Sequence, residues 1–284
     1  LAAKTKVIYS PHHKLHIGTG PEIPSRVEAI LHSLKDREII EPLKANEEQL
    51  LKFHKKYYID AVKTIDAKAK NIAEYQAAIK KKRYSRMVDG TVIVHGSYEA
   101  ACYAAGSIIE AMKDEYNAVF ALTRPPGHHA HPDFTHGFCI FNNTCVGIEN
   151  SKKRRILIID LDLHFGDGVY SFYKNRKEVK YLSFSFIRFD LPNLEARKNF
   201  RRPNIKTVRQ IFSRFDPEIV YFITGYDSLD FGYLSIEEYL RIFKTALKYV
   251  SGRKLILELS GGYDLKKLPE YVNKTIQIVD SVLI

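Results

Sequence analysis

Five apolar runs punctuate the second half of the chain: Ala118–Thr123, Ile156–Leu161, Tyr181–Phe186, Ile219–Thr224 and Leu255–Leu259. Most are rich in β-branched or aromatic residues and lack polar alternation, the pattern of strands covered on both faces. A shorter candidate strand, Val7–Ser10, precedes a His- and Gly-containing loop. Helical periodicity sets in over Pro24–Lys35, where Val27, Ile30, Leu31 and Leu34 share one face. Leu50–Ile65 reads as a second helix, and Asp66–Arg83, rich in Ala and Lys, as a more exposed third. Ser97–Lys113 reads as a buried helix whose Ala100, Ala101, Ala104, Ala105 and Gly106 permit close packing. Ser235–Val250 opens with Ser235 and Glu238 in capping-box spacing. Strands alternating with helices predict an α/β fold, a mostly parallel central sheet with helices on both faces. No repeat, linker or composition break interrupts it, so residues 1–284 read as one domain.

Composition narrows the class. With 45% hydrophobic and 27% charged residues, the 284-residue chain is globular rather than disordered. No apolar run approaches the roughly 18 residues of a membrane span, and the basic start (Lys4, Lys6) lacks a following signal-peptide stretch. Cys102, Cys139 and Cys145 are odd in number and show no Cys-x-x-Cys spacing, which argues against a disulfide framework or thiolate metal site. A cytoplasmic protein is expected. The net charge of +11 raises nucleic acid as a partner, although the one clear basic run, Lys80–Arg83, reads more simply as a solvated helix face.

The chemistry lies where the apolar runs end. After Ile156–Ile159 the chain places Asp160, Asp162 and His164 at alternate positions, on one side of an extended strand. Two carboxylates beside an apolar run disfavour each other's charge unless donors or a cation compensate. The same residues could simply cap a neighbouring loop, but other strand ends are equally unusual: Arg124-Pro-Pro-Gly-His-His129, Gly225-Tyr-Asp227 and Ser260-Gly-Gly-Tyr263. In open α/β sheets, ligands bind beyond the carboxyl ends of the strands, so these clusters should converge. Asp162, His164 and Asp227 would supply the three protein ligands of a catalytic zinc. His128 and His129 are the candidate acid and base, with Asp160 and Asp167 each orienting one imidazole. Tyr263, after Gly261 and Gly262, could donate to a developing oxyanion.

Taken together, RPPGHHA (Arg124–Ala130), GFCIFNN (Gly137–Asn143), DLDLHFGDG (Asp160–Gly168), GYD (Gly225–Asp227) and GGYD (Gly261–Asp264) resemble the histone deacetylase and acetylpolyamine amidohydrolase superfamily. The segment His16–Arg26 is similar to that family's Pro-Glu-x-Pro-x-Arg opening, and GFCIFNN is closer to the class II and bacterial branch. The resemblance implies a single-domain arginase-deacetylase-like fold and a zinc held by Asp162, His164 and Asp227. It implies His128 and His129 as the acid–base pair and Tyr263 as the carbonyl-polarising residue. Gly137 and Phe138 would line an acyl channel, with Gly261 and Gly262 also at the substrate. A potassium ion would lie near Asp160, Asp162, His164 and Ser183. Fe(II) or Co(II) are alternatives at the zinc ligands.

Three departures qualify the resemblance. Phe165 stands where relatives usually carry a second His. The stretch between Phe186 and Ile219 is short and basic (Arg188, Arg197, Lys198, Arg201, Arg202) and lacks the glycine-rich Pro-Gly-Thr-Gly loop that walls the pocket in relatives. The chain is also expected to end about two helical turns after Pro269. A shallower pocket, or one completed by a second subunit of a homo-oligomer, is therefore expected. The leading expectation is a deacetylase acting on acetyl-lysine, an acetylpolyamine or another small acetylated amine. A neutral or anionic substrate is at least as plausible as a cationic one, unless local acids such as Glu22, Asp89 or Asp133 dominate the mouth. The alternatives are a deacetylase-like module binding nucleic acid or a protein partner through loop 188–202, and an arginase-like ureohydrolase with two bridged metals.

Overall fold

The side chains of the buried strands project alternately to two apolar layers, and that alternation organises the molecule. The computed structural model describes residues 5–80, 82–153, 155–187, 205–250 and 252–282. Its central sheet comprises β1 (Lys6–Ile8), β2 (Ile39–Ile40), β4 (Ala118–Ala121), β6 (Ile156–Asp160), β7 (Val179–Ser183), β8 (Ile219–Thr224) and β9 (Lys254–Leu259). The spatial order is β2-β1-β4-β9-β8-β6-β7, and every pairing is parallel. Two further segments, β3 (Val88–Asp89) and β5 (Thr135–His136), form a separate parallel pair.

Along β6, Ile156 and Ile158 enter one core while Leu157 and Ile159 enter the other. Tyr221 and Ile223 of β8 follow the first, Val220 and Phe222 the second. The first layer is covered by helices Lys56–Lys68, Ser97–Ala111, Asn143–Glu149 and Asp167–Tyr173; the second by Ser25–Ser33, Ile205–Phe215, Ile236–Leu247 and Leu268–Val282. Burial on both faces explains why the runs are continuously apolar. The expected α/β architecture, a mostly parallel sheet between helical layers, is the one found.

Helix boundaries differ from the sequence expectation in informative ways. Leu50–Ile65 is not one helix: Glu47–Leu50 stops, and Lys56–Lys68 begins afresh. The intervening chain buries Phe53 and His54, and the Lys55 amide donates to Pro132 O at 2.8 Å. Asp66–Arg83 breaks likewise, because Ala69 is buried and its carbonyl accepts from the His95 amide at 2.7 Å. A new helix, Ile72–Ile79, starts under an Asn71 cap that accepts from Glu74 N at 2.9 Å. The Ser235–Glu238 capping box forms as expected, with contacts of 3.2 and 3.0 Å. The final helix, Leu268–Val282, has 15 residues, about four turns rather than the expected two.

Candidate metal centre and its histidine neighbours

β9 inserts between β4 and β8, so β4-β9-β8-β6 are four adjacent strands. These four carry the unusual residues, and parallel pairing places all their carboxyl ends at one rim. Asp160 is the last residue of β6. The chain then turns, with the Asp162 amide donating to Asp160 Oδ1 at 3.0 Å and the His164 amide to Asp162 Oδ1 at 2.9 Å. Asp227 follows β8, its Oδ1 accepting from the Leu163 amide at 3.0 Å and the Ser228 amide at 3.1 Å. Asp162 Oδ2 accepts from the Gly261 amide at 2.9 Å. Two glycines make this crowding feasible: a Cβ on Gly225 would lie 2.3 Å from Asp162 Oδ2, and one on Gly261 2.6 Å from the Asp227 carboxyl carbon.

Asp162, His164 and Asp227 each offer one ligand atom within 4.8 Å of the others. His164 Nδ1 lies 3.2 Å from Asp227 Oδ2 and 3.5 Å from Asp162 Oδ1. Both carboxylates are buried, and their charges act on each other directly. Burial, followed by repulsion from Asp162, pushes the Asp227 carboxyl up to about 6. Burial works to lower the His164 imidazole, but hydrogen bonds to Asp162 and Asp227 outweigh it and push it up to about 10. A site that holds protons on imidazole for want of positive charge is chemically suited to a divalent cation. The donor set fits zinc, one imidazole nitrogen and two carboxylate oxygens with room for a further ligand on the cavity side.

The two histidines after β4 have separate carboxylate partners. His128 Nδ1 lies 3.2 Å from Asp160 Oδ2, and His128 Nε2 lies 3.8 Å from Asp162 Oδ1. Burial disfavours its cation, but Asp162 and Asp160 outweigh that and push it up to about 9. His129 Nδ1 contacts Asp167 Oδ1 at 2.6 Å. Burial, reinforced by the charge of His128, lowers its imidazole to about 3. Adjacent in sequence, the two rings are driven in opposite directions by their surroundings.

Sequence reasoning missed several supporting residues. Asp167 is contacted not only by His129 but also by His131 Nε2 at 2.7 Å and His136 Nε2 at 2.8 Å. Tyr181 donates its hydroxyl to Asp160 Oδ2 at 2.7 Å and accepts from the Gly166 amide at 3.0 Å. Arg26, almost fully buried, donates to Gly262 O and Ser260 O at 2.5 Å each, and its guanidinium lies 4.8 Å from the Tyr263 ring centroid. It thereby braces the loop that carries Tyr263. Glu22 is not a mouth acid: fully buried, it pairs with Arg124 Nε at 2.7 Å and with Arg26 Nη1 at 3.3 Å. Asp133 instead accepts from Tyr57 at 2.9 Å. Ser183 ends β7 in register with Asp160. Phe165 is buried and packs edge-on against Tyr181, a packing role in place of an imidazole.

These groups open onto a cavity of about 770 Å³ lined by His128, His129, Asp162, His164, Gly137, Phe138, Gly261 and Tyr263. Phe134, Phe231 and Tyr233 add aromatic surface, and Asp89 an exposed carboxylate. No Lys or Arg lines it among the described residues. Gly262 does not line it; its carbonyl is taken by Arg26. Loop 188–202, with Arg188, Arg197, Lys198, Arg201 and Arg202, lies outside the described residues, as does Lys81 of the Lys80–Arg83 run. All three cysteines are free and buried. No described helix is long and apolar enough to cross a membrane.

Comparison with known proteins agrees with this geometry. The family model for the histone deacetylase domain matches residues 20–189, more than half of the chain. The polyamine deacetylase HDAC10 of Danio rerio is 25% identical over 303 residues, covering 90% of this chain and 43% of that protein. Histone deacetylase 5 of Arabidopsis thaliana is 25% identical, covering 91% and 46%. The chain thus spans less than half the length of these relatives. A probable deacetylase of Methanothermobacter thermautotrophicus is 29% identical over 190 residues, covering 62% and 53%. Among solved structures, the HD domain of HDA15 superposes with a TM-score of 0.76 at 23% identity, covering 98% of this chain and 90% of that one. An acetylpolyamine aminohydrolase from Burkholderia pseudomallei gives 0.78 at 16%, covering 98% and 99%. The fold is that of the arginase-deacetylase group, and the chain belongs to the histone deacetylase family.

Proposed function

We propose that this chain is a zinc-dependent deacetylase that hydrolyses an N-acetyl amide to acetate and a free amine. The observation that carries the reading is a single cavity lined by Asp162 and His164 of the three-ligand cluster, two oppositely biased histidines and a tyrosine, with Asp227 buried beside them. Asp162, His164 and Asp227 would hold a divalent cation, which when bound would supply Lewis acidity toward water and the acetyl carbonyl. His129, held neutral by burial and oriented through Nδ1 by Asp167, takes the proton from the attacking water. His128, held cationic by Asp162 and Asp160, favours the negative charge that develops and supplies a proton to the leaving amine. Tyr263 keeps its phenol proton, since burial pushes its pKa well up, and donates to the carbonyl oxygen. Gly137 and Phe138 flank the acyl group on the cavity wall.

The wall also bears on substrate class. Despite the chain's +11 charge, the described lining carries no Lys or Arg and has Asp89 at its edge. An anionic substrate would find no Lys or Arg partner among the described lining residues. A neutral or singly cationic amine with an apolar body suits the Phe134, Phe231 and Tyr233 surface better. The test is acetate release from an acetyl-lysine peptide, an N-acetylated diamine and a neutral N-acetyl arylalkylamine, before and after chelation and zinc restoration. Zinc-dependent release, fastest with the neutral or monocationic compounds, is expected. Stoichiometrically loaded, folded protein that releases no acetate from any of them would overturn the reading.

A further inference from the structure

We infer that His129, His136 and Asp167 form a second, inhibitory site for a divalent cation that prefers imidazole ligands, such as Zn(II), Co(II) or Ni(II). The inference rests on His129 being the base of the proposed reaction. Orienting that base requires one acceptor, yet three imidazoles converge on the buried Asp167 carboxylate, at 2.6, 2.7 and 2.8 Å from His129, His131 and His136. One ligand atom each from His129, His136 and Asp167 falls within 4.8 Å of the others. Tetrahedral ligands about 2.1 Å from a zinc ion stand roughly 3.4 Å apart, so the 2.6 Å contact between His129 and Asp167 would have to open by about 0.8 Å. The His129 and His136 rings lie 4.7 Å apart at 31°, and both line the cavity, which gives an ion a way in. His131 is held behind them, stacked on Phe134 at 4.0 Å, with Nδ1 3.2 Å from Ser171 Oγ. An imidazole-rich donor set favours these metals over Mg(II) and Ca(II), which take oxygen ligands.

The consequence is a tautomer switch. Facing Asp167, His129 carries its proton on Nδ1 and offers the Nε2 lone pair as base. An ion bound at Nδ1 displaces that proton to Nε2, and the ring can no longer accept one. Binding needs no net proton release where the imidazoles start neutral. This cluster shares no residue with Asp162, His164 and Asp227, so no single side chain would link an ion held here to one held there.

The experiment titrates zinc chloride into the full chain already loaded with one equivalent, reading bound metal by equilibrium dialysis and turnover in parallel. A second, weaker equivalent is expected, with turnover falling as it fills and magnesium chloride without effect. His136→Phe should weaken that second binding by about 100-fold and raise the half-inhibiting zinc concentration equally, with the first equivalent retained. His136→Gln, with its melting temperature checked, guards against a packing artefact. In an Asp162→Asn, Asp227→Asn background one zinc should still bind and be lost on adding His136→Phe. Absence of a second equivalent, or a second equivalent unchanged by both His136 substitutions, would overturn the inference. These dialysis readouts stand even if no acetylated substrate is turned over, which would refute the proposed activity alone.

Discussion

Two clusters sit side by side at the rim and differ mainly in their ratio of acid to imidazole. Asp162, Asp227 and His164 place two carboxylates against one ring; Asp167 faces three rings alone. In the first, negative charge is in excess, and Asp227 is pushed up to about 6 by burial and by Asp162. In the second, burial would raise the Asp167 carboxyl, but hydrogen bonds from His129, His131 and His136 hold it far below the carboxylate range. The first cluster therefore favours a cation strongly, while the second, with its one carboxylate already held by three imidazoles, would bind one more weakly. Similar side chains, packed a few ångströms apart, thus differ in charge balance, and the proposed division between metal holding and proton handling rests on that difference.

The sharpest way to break this contrast is to unbalance each cluster singly. Asp227→Ala should abolish tight binding of the first metal equivalent and reduce acetate release to background, as read by metal analysis and turnover. His129→Ala should keep that metal yet lower kcat by about 10³-fold, the scale of a lost general base. If both variants lose metal equally, the division of labour is wrong. Tyr263→Phe removes only a donor from the cavity wall and should cost about 10²-fold in kcat with the metal retained. Asp160→Asn, which removes the carboxylate facing His128 Nδ1 and leaves only Asp162 beside the ring, should cost about 10-fold to 100-fold and weaken metal binding modestly.

Legibility in the sequence followed the regularity of the backbone. Asp160, Asp162 and His164 stand out because acids and an imidazole at alternate positions after an apolar run are unusual. The strand stops at Asp160, however, and it is a turn that arranges them, with the Asp162 and His164 amides donating to the carboxylate two residues before each. Asp227 and Tyr263 could be placed because each directly follows a buried run, β8 or β9, whose end is easily read. His131 and His136 lie in the loop after the His pair, where no period converts spacing into direction. Their meeting on Asp167 required the fold. Glu22 and Arg26 fall in the Pro-Glu-x-Pro-x-Arg segment, but what they touch was not legible: Arg26 braces Ser260 and Gly262 from over 230 residues away in sequence. The helix breaks near Phe53 and Ala69 followed from tertiary burial, which local propensity does not encode.

The smallest predicted effect concerns histidines that serve neither cluster. His54 is buried and its Nε2 accepts from the Asn142 amide at 2.9 Å, so it must be neutral; burial lowers it to about 3. His16, beside Glu22 and Arg124, is lowered by burial to about 4. In the unfolded chain both titrate near 6.5, so below that pH the unfolded state binds protons that the folded state refuses. Their contribution to stability is therefore intact above about pH 6.5 and declines as pH falls toward 4, each ring accounting for at most about 1.4 kcal/mol per pH unit. His54→Gln, which retains an acceptor for Asn142 but does not titrate, should flatten the decline in urea midpoint between pH 7 and 5. If wild type and His54→Gln decline in parallel, His54 shares the proton-accepting character of the site histidines. The distinction between structural and functional imidazoles would then have to be drawn elsewhere.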